Sequence, residues 1–489
     1  MSSTVLAPFA DPLWYTRGNS PYYNESHIKL RDEVRAYVST HIAPNCEEWE
    51  KNGSVPLEAS RKYAEAGFMA ASIFPLPVEY LGDIRLPGGV KPSEWDEFHD
   101  LVFMDEVARC GYLGVFWGLA CGNIIGAPPI FRFGTDAQKQ KYVADILSGT
   151  TRFCLAVTEP DAGSDVAGLT TTAIRNGDKY IVNGAKKWIT NGLWADYCTA
   201  AVRTGGPGQS GISVLIISLT APGVTRKRIF NSGVSASGST YFEFDDVEVP
   251  VENLVGEENR GFPIIMSNFN HERVWLTITA LRLARVCAED SYLHAIKRET
   301  FGKKLITNQV IRAKLSTAGR SIDSAHAYLE QLVFMQAESK RRNGCDPVGI
   351  GGLIANCKVL AGQVLERTNR EAQQIMGGIG YSRQGRGSRV EQISRDLRVM
   401  VVGGGSEEIL TELSINQEAK TLAAAKFQVK RNLDSHALPH MVKGSETRRS
   451  PAVRSLCYPK RRKPGFDSIL DTLFHSDDAD VATDRPATD

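Results

Sequence analysis

The spacing of apolar positions changes twice along the chain, and these changes divide it into three. From about Asn24 to Gly149 the spacing is helical, most clearly over His27–Val38 and Trp95–Ala108. Gly/Pro clusters at Pro75–Pro92 and Gly122–Pro129 are expected to break those helices. From Arg152 to Val255 the period shortens to two: Tyr180/Val182, Val214/Ile216 and Phe242/Phe244 alternate. Turns are expected there at Asn176-Gly177 and Asn183-Gly184. Beyond Gly256 long helices return. Leu315, Ala318, Ile322, Ala325, Leu329 and Leu332 step by three and four, and Leu353, Cys357, Leu360, Val364 and Ile375 form a second series. Ala280, Ala284, Cys287, Ser291 and Ala295 make a stripe of small residues that permits close helix packing. The expected fold is α+β and multidomain. It comprises an N-terminal α-helical domain (24–151), a middle β domain of small barrel or sandwich type (152–255) and a C-terminal four-helix bundle (256–428).

After about Val429 the periodicity is lost, and residues 429–489 are expected to form a disordered tail. His436 and His440 have helical ligand spacing but lack a third ligand, so no metal is expected. Charge is balanced, with Lys+Arg 57 against Asp+Glu 56. This excludes bulk nucleic-acid binding. No uninterrupted apolar stretch reads as a membrane span. The nine cysteines are scattered without a Cys-x-x-Cys pair, which favours a reduced, intracellular compartment. Asp11 and the sparse arginines make a weak organelle presequence, and Ala487-Thr488-Asp489 is no peroxisomal address. Mitochondrial, peroxisomal and cytoplasmic locations are not distinguished.

The densest chemistry lies in Leu155-Ala156-Val157-Thr158-Glu159-Pro160-Asp161-Ala162-Gly163-Ser164, where a strand-like entry runs into a Pro/Gly/Ser loop rich in free N–H groups and hydroxyls. Trp188-Ile189-Thr190-Asn191-Gly192 follows. Together these segments resemble the flavin-contacting segments of the acyl-CoA dehydrogenase family, and the resemblance extends from about Asn24 to Lys426. It implies the family's three-domain fold, FAD as cofactor and an acyl-CoA substrate. The implied reaction is α,β-dehydrogenation to the 2-enoyl-CoA, with a base taking the α-proton and flavin N5 the β-hydride. Leu155 to Ser164 would line the flavin, Ser164 also touching the thioester's pantetheine arm, and Trp188, Ile189 and Thr190 would cover the ring. Arg298-Glu299-Thr300, with Asn308 and Gln309, resembles the pyrophosphate segment. Gln374-Ile375-Met376-Gly377-Gly378 resembles the stretch that reaches the adenosine half from a neighbouring subunit. A homodimer or homotetramer is therefore implied, with electron-transfer flavoprotein or another acceptor as electron partner. Arg383–Arg389 is about three residues longer than the usual pattern, and the register recovers at Arg395-Asp396.

In most relatives a glutamate lies about eight residues after that Arg-Asp pair. Here the position is Gly404, which cannot take a proton. A minority of the family, similar to isovaleryl- and long-chain acyl-CoA dehydrogenases, places the base on the first long bundle helix instead. Glu272, in Phe269-Asn270-His271-Glu272-Arg273, falls there and is the expected catalytic base. Desolvation would raise its pKa toward neutrality. Asn270, His271 and Arg273 are placed near the substrate by the same resemblance, although helical geometry is expected to aim His271 at the surface. Ser406, Glu407 and Glu408 follow the glycine loop on the flavin side, with helix capping as their ordinary role. An oxidase or flavin monooxygenase of this fold, which needs no α-proton base, and a non-catalytic assembly partner are the alternatives.

Overall fold

The structure is a computed structural model and describes residues 6–436. The expected 429–489 tail lies mostly outside them; its first residues continue the helix Glu407–His436, while His440 and the charged runs lie beyond the described residues.

Two helices of the first domain, α1 (Glu25–Tyr37) and α2 (Glu97–Ala108), start with reciprocal capping boxes. Asn24 pairs with His27, and Asp96 with His99. The imidazoles stand where a glutamate usually does. The boxes also meet, with His27 Nε2 3.3 Å from Asp96 Oδ1 and the two rings stacked at 3.8 Å. This brings His27, Asp96 and His99 into a metal-like cluster that the sequence spacing did not suggest. Each Nδ1 is already engaged at its own cap, His27 by Asn24 N and Oδ1 at 3.1 Å and His99 by Asp96 Oδ1 at 2.8 Å, so the cluster is explained as a pair of helix caps.

The middle domain is an eight-stranded sheet. Its strands are β1 (Phe153–Ala156), β2 (Thr172–Asn176), β3 (Lys179–Ile189), β4 (Tyr197–Arg203), β5 (Ile212–Ser218), β6 (Val224–Arg228), β7 (Thr240–Pro250) and β8 (Leu254–Val255). The order is β6-β7-β3-β2-β4-β5-β8, with β1 parallel to β4. The turn expected at Asn176-Gly177 joins β2 to β3. Asn183-Gly184 makes no turn: it is a bulge inside β3, marked by a register shift against β7. There Gly184 has φ +144, and a Cβ would lie 2.7 Å from Thr171 Cα. The dipeptide serves close approach, which is the other use of glycine in a strand.

Four long helices and a shorter one make the last domain: α3 (Gly261–Lys297), α4 (Gln309–Asn343), α5 (Ile350–Met376), α6 (Ser388–Val402) and α7 (Glu407–His436). Their apolar faces share one core with α1 and α2. Residues before Asn24 join it. Trp14 is buried, the Asp11 carboxylate meets Arg35, Arg109 and Arg282 at 3.1, 2.6 and 3.3 Å, and Arg285 donates to the Phe9 and Asp11 carbonyls. Arg282 also pairs with Asp105. Burial alone would raise the Asp11 pKa, but the three guanidinium groups prevail and hold it at about 2.

The break expected at Gly122–Pro129 is slight: Ala127 interrupts the helical run Leu113–Phe133 between Gly126 and Pro128, which opens the next helix, and a π-helical stretch lies at Trp117–Cys121. By length and composition the run could cross a membrane, yet 94% of its most apolar stretch is buried inside the protein, as a core helix would be. The glycines form a ridge on which other backbone rests. A Cβ on Gly114 would meet Val234, on Gly118 the Ala236 carbonyl at 2.5 Å, on Gly122 the Phe153 carbonyl at 2.3 Å and on Gly126 the Cys154 backbone at 2.7 Å. The ridge thus seats the helical domain on β1 and on the turn before β7. Gly122→Ala should lower the unfolding free energy by about 1–3 kcal/mol through overpacking. Gly206→Ala, where a Cβ meets nothing within 4 Å, should change it little. Thermal unfolding of the two variants checks this, and equal melting temperatures would contradict it.

Candidate active site

Glu272 sits well inside α3, three turns from its start. It is therefore not an N-terminal residue serving the helix dipole, nor does it form an ion pair with Arg273. Its partner is Asn268, one helical turn back, whose Nδ2 donates to Oε1 at 2.6 Å and also to the Ile125 carbonyl at 2.9 Å. Burial pushes the Glu272 pKa up to about 8, and the charge of Arg273 opposes that only partly. The carboxyl retains some exposure because it opens on a partly open cavity lined mainly by apolar groups such as Met104, Ile124, Trp275 and Ile278. A raised carboxyl pKa beside an apolar cavity is the arrangement a general base near neutrality requires.

His271 does not face solvent. It is buried at 5% exposure, and its Nε2 lies 2.9 Å from Arg132 NH1. The guanidinium can only donate, so Nε2 accepts and the neutral ring carries its proton on Nδ1. Burial, with Lys340 and Arg132 nearby, holds the His271 pKa well below its usual value.

Gly404 lies against the same part of α3. Its carbonyl accepts from Arg273 Nε at 2.9 Å. At its φ of +70 a Cβ would point to Leu276 Cδ1 at 2.8 Å and Arg273 Cγ at 3.6 Å. A carboxylate grown from residue 404 would therefore reach the turn of helix that carries Glu272. Arg273, with Asn270 Oδ1 3.3 Å away, tethers this loop. Lys358, absent from the sequence reading, tethers its other side: from within the apolar series of α5 its Nζ donates to the Val401 and Gly405 carbonyls at 2.5 and 3.1 Å. A lysine between Cys357 and Leu360 on a buried helix face was the signal for it. Burial and the charge of Arg273 bring the Lys358 pKa down to about 8. Beyond the loop, Glu407 is held by Gln363, and Ser406 N donates to Ser164 Oγ at 3.5 Å. That contact joins the glycine loop to the Leu155–Ser164 segment.

In that segment Leu155 and Thr158 are half-buried, whereas Pro160, Asp161, Gly163 and Ser164 are exposed. Ala156, Val157 and Ala162 turn into the core, so a ligand could meet only their backbone. Glu159 is a buried anchor with no ligand-facing carboxylate. It accepts from Thr170 N, Thr170 Oγ1, Thr171 N and Lys186 Nζ at 2.6, 2.9, 2.9 and 2.8 Å. Burial raises its pKa, but Lys186 and these donors outweigh burial and bring it to about 2. The loop thus hangs from a buried ion pair. A second register shift, between Lys186 and Ile189, puts Trp188 at φ +65 and turns its indole out at 52% exposure while Ile189 stays buried. Thr190 is half-buried beside it. Asn191 stitches this edge to the π-helical stretch, accepting from Gly122 N at 2.7 Å and donating to the Trp117 carbonyl at 3.1 Å. An exposed indole held in a strained conformation beside a polar loop offers the flat face and hydrogen-bonding edge that FAD requires.

The other implied segments lie at the far end of α3. Arg298, Glu299 and Thr300 open a short exposed hairpin in which Glu299 pairs with Lys304 at 2.6 Å. Arg298 has no carboxylate partner among the described residues. Asn308 caps α4 through Val310 N at 2.9 Å, and Gln309 is exposed. Ile375 and Met376 turn inward, Ile375 packing with Leu315 and with Leu305 and Ile306 of the hairpin's exit. Gln374, Gly377 and Gly378 are exposed, and a Cβ on either glycine would meet nothing within 4 Å. Ala295, Leu315 and Ile375 pack in one cluster, so the segments that carry Arg298 and Gln374 lie at the same end of the bundle, with both residues exposed.

Comparison with known proteins agrees with this geometry. The N-terminal, middle and C-terminal domain models of the acyl-CoA dehydrogenase family match residues 24–150, 154–247 and 259–418. An acyl-CoA dehydrogenase of Alternaria alternata is 52% identical over 425 residues, covering 87% of this chain and 98% of its own. One from Emericella nidulans is 42% identical, with 87% and 98% covered. Butyryl-CoA dehydrogenase from Megasphaera elsdenii superposes with a TM-score of 0.72 at 28% identity, over 81% of this chain and 99% of that one. The chain belongs to the acyl-CoA dehydrogenase family, FAD-dependent oxidoreductases of this three-domain fold.

Proposed function

We propose that the protein dehydrogenates an acyl-CoA thioester between Cα and Cβ, with Glu272 accepting the α-proton. The observation that carries this reading is the Glu272 carboxyl, its pKa raised to about 8, opening on an apolar cavity beside the Gly404 loop and the Ser164 segment. FAD, when bound, accepts the hydride leaving Cβ. Asn268 fixes one carboxyl oxygen, which orients the other for the C–H bond. The apolar walls exclude water and keep the carboxylate basic. Asn270 and Ser164 flank the entrance and supply polar contacts to the thioester arm. Arg273 and Lys358 act on the loop, and through it on the cavity mouth. Thr158, Trp188 and Thr190 hold the flavin ring.

Arg298, the C-cap of the helix that carries Glu272, lies 26 residues beyond it, about 39 Å along the axis at the rise of an α-helix. That separation favours a cradle formed by Arg298 and Gln374 for the cofactor of a second copy. This favours a homodimer or homotetramer. Electron-transfer flavoprotein is the proposed acceptor, and oxygen the competing one.

Purified protein should be yellow and should bleach anaerobically with a saturated acyl-CoA; failure with every chain length would contradict the reading. Because the base must be ionised and its pKa is raised by burial, the bleaching rate should climb with pH through about 8 and then level. A profile already flat from the ordinary carboxylate range upward would contradict the assignment of Glu272. Arg298→Ala should lower FAD retention in size-exclusion chromatography while leaving the bundle folded. Full retention would exclude the cradle.

A further inference from the structure

The cavity that receives the acyl chain beside Glu272 is not apolar to its end. Besides Glu97, Asn268 and Glu272, four of its lining side chains carry polar groups, Asp100, His271, Trp275 and Gln336, at 8%, 5%, 6% and 1% exposure. Three of them hold atoms with no hydrogen-bond partner: His271 Nδ1, Trp275 Nε1 and Gln336 Oε1. The first two are N–H donors, given the tautomer fixed by Arg132, and the third is an acceptor. Gln336 is held from its other end, with Nε2 3.4 Å from Asp346 Oδ1. A buried polar atom without a partner costs free energy. Three lining one cavity point to a missing partner.

We infer that the acyl substrate carries an uncharged oxygen, a hydroxyl or oxo group, beyond its β-carbon, and that His271, Trp275 and Gln336 recognise it. This rests on the proposed acyl-CoA dehydrogenation and names its substrate class. The charges around the cavity select against an ionised tail. Glu97 is already paired with Lys340 at 2.7 Å. Asp100 accepts from Trp95 Nε1 at 2.7 Å, and burial holds its pKa well above the usual carboxylate range. Burial thus disfavours the charged form of Asp100, as it does that of His271. Arg132 is engaged by His271. A carboxylate tail would face Glu97 with no free cation among the described lining residues, whereas a hydroxyl both gives to Gln336 Oε1 and accepts from an N–H.

The test is anaerobic flavin reduction by the intact holoenzyme. It compares hexanoyl-, octanoyl- and decanoyl-CoA with their hydroxylated and oxo counterparts substituted at successive carbons beyond Cβ, and with dicarboxylyl-CoAs of equal length. At one position at least, the hydroxy- or oxoacyl-CoA should be dehydrogenated, reducing the flavin, with kcat/KM at least about tenfold above the unsubstituted chain, the size of one buried hydrogen bond's discrimination. The Gln336→Leu variant, with its FAD content confirmed by absorbance, should remove or invert that preference while still dehydrogenating the unsubstituted chain. Equal or better use of the unsubstituted chains by the wild type would overturn the inference and leave dehydrogenation standing, the cavity atoms then being satisfied by water. Preference for the dicarboxylyl-CoAs would overturn it as well. Absence of reduction by any acyl-CoA would defeat the underlying reading itself.

Discussion

Holding an ionisable carboxyl inside a helix bundle costs free energy that one hydrogen bond from an amide does not recover, and the arrangement around Glu272 is organised by that cost. The helix that carries it is fixed at several places by charges that are themselves buried. Arg282 and Arg285, farther along α3, are locked to Asp105, Asp11, Asp323 and the Phe9 carbonyl. The π-helical stretch opposite is pinned through Asn191, and the glycine ridge of Leu113–Phe133 lets β1 approach closely. With its neighbours immobilised in this way, Glu272 cannot swing toward water. The raised pKa is the consequence.

The base is also freed from any one place in the chain. Gly404 stands where a carboxylate would approach the same turn of α3, and the loop that carries it is held by Arg273 and Lys358 whether or not it bears an acid. With no side chain at 404, the loop serves as a wall and the proposed chemistry rests on α3. The surrounding polar groups then have room for another use, in the cavity beyond Glu272.

Much of this was legible in the sequence because its signals are local. Period-two and helical spacing marked the three domains, the Leu155–Ser164 loop marked the family, and the glycine at 404 pointed to Glu272. What escaped depends on contacts between distant segments. Gly122–Pro129 reads only as a helix breaker, which it is at Ala127, until Phe153 and Cys154 are seen resting on its glycines. Asn183-Gly184 reads as a turn, yet the partner strand β7 makes it a bulge. Glu159 lies within the flavin signature, but Lys186 draws it inward. His271 seemed bound for the surface because helical geometry says nothing of Arg132, which comes from another domain.

The account depends most on Glu272 being the group that takes the proton. The direct measurement is the anaerobic rate of flavin reduction by a saturated acyl-CoA in Glu272→Gln and in the double variant Glu272→Gln/Gly404→Glu. The single variant should keep its FAD and its fold while losing the rate by about three orders of magnitude, within the usual range for removing an acid–base group. The double variant should recover part of it, since residue 404 faces the same turn of α3. Reduction by Glu272→Gln at the wild-type rate would contradict the account.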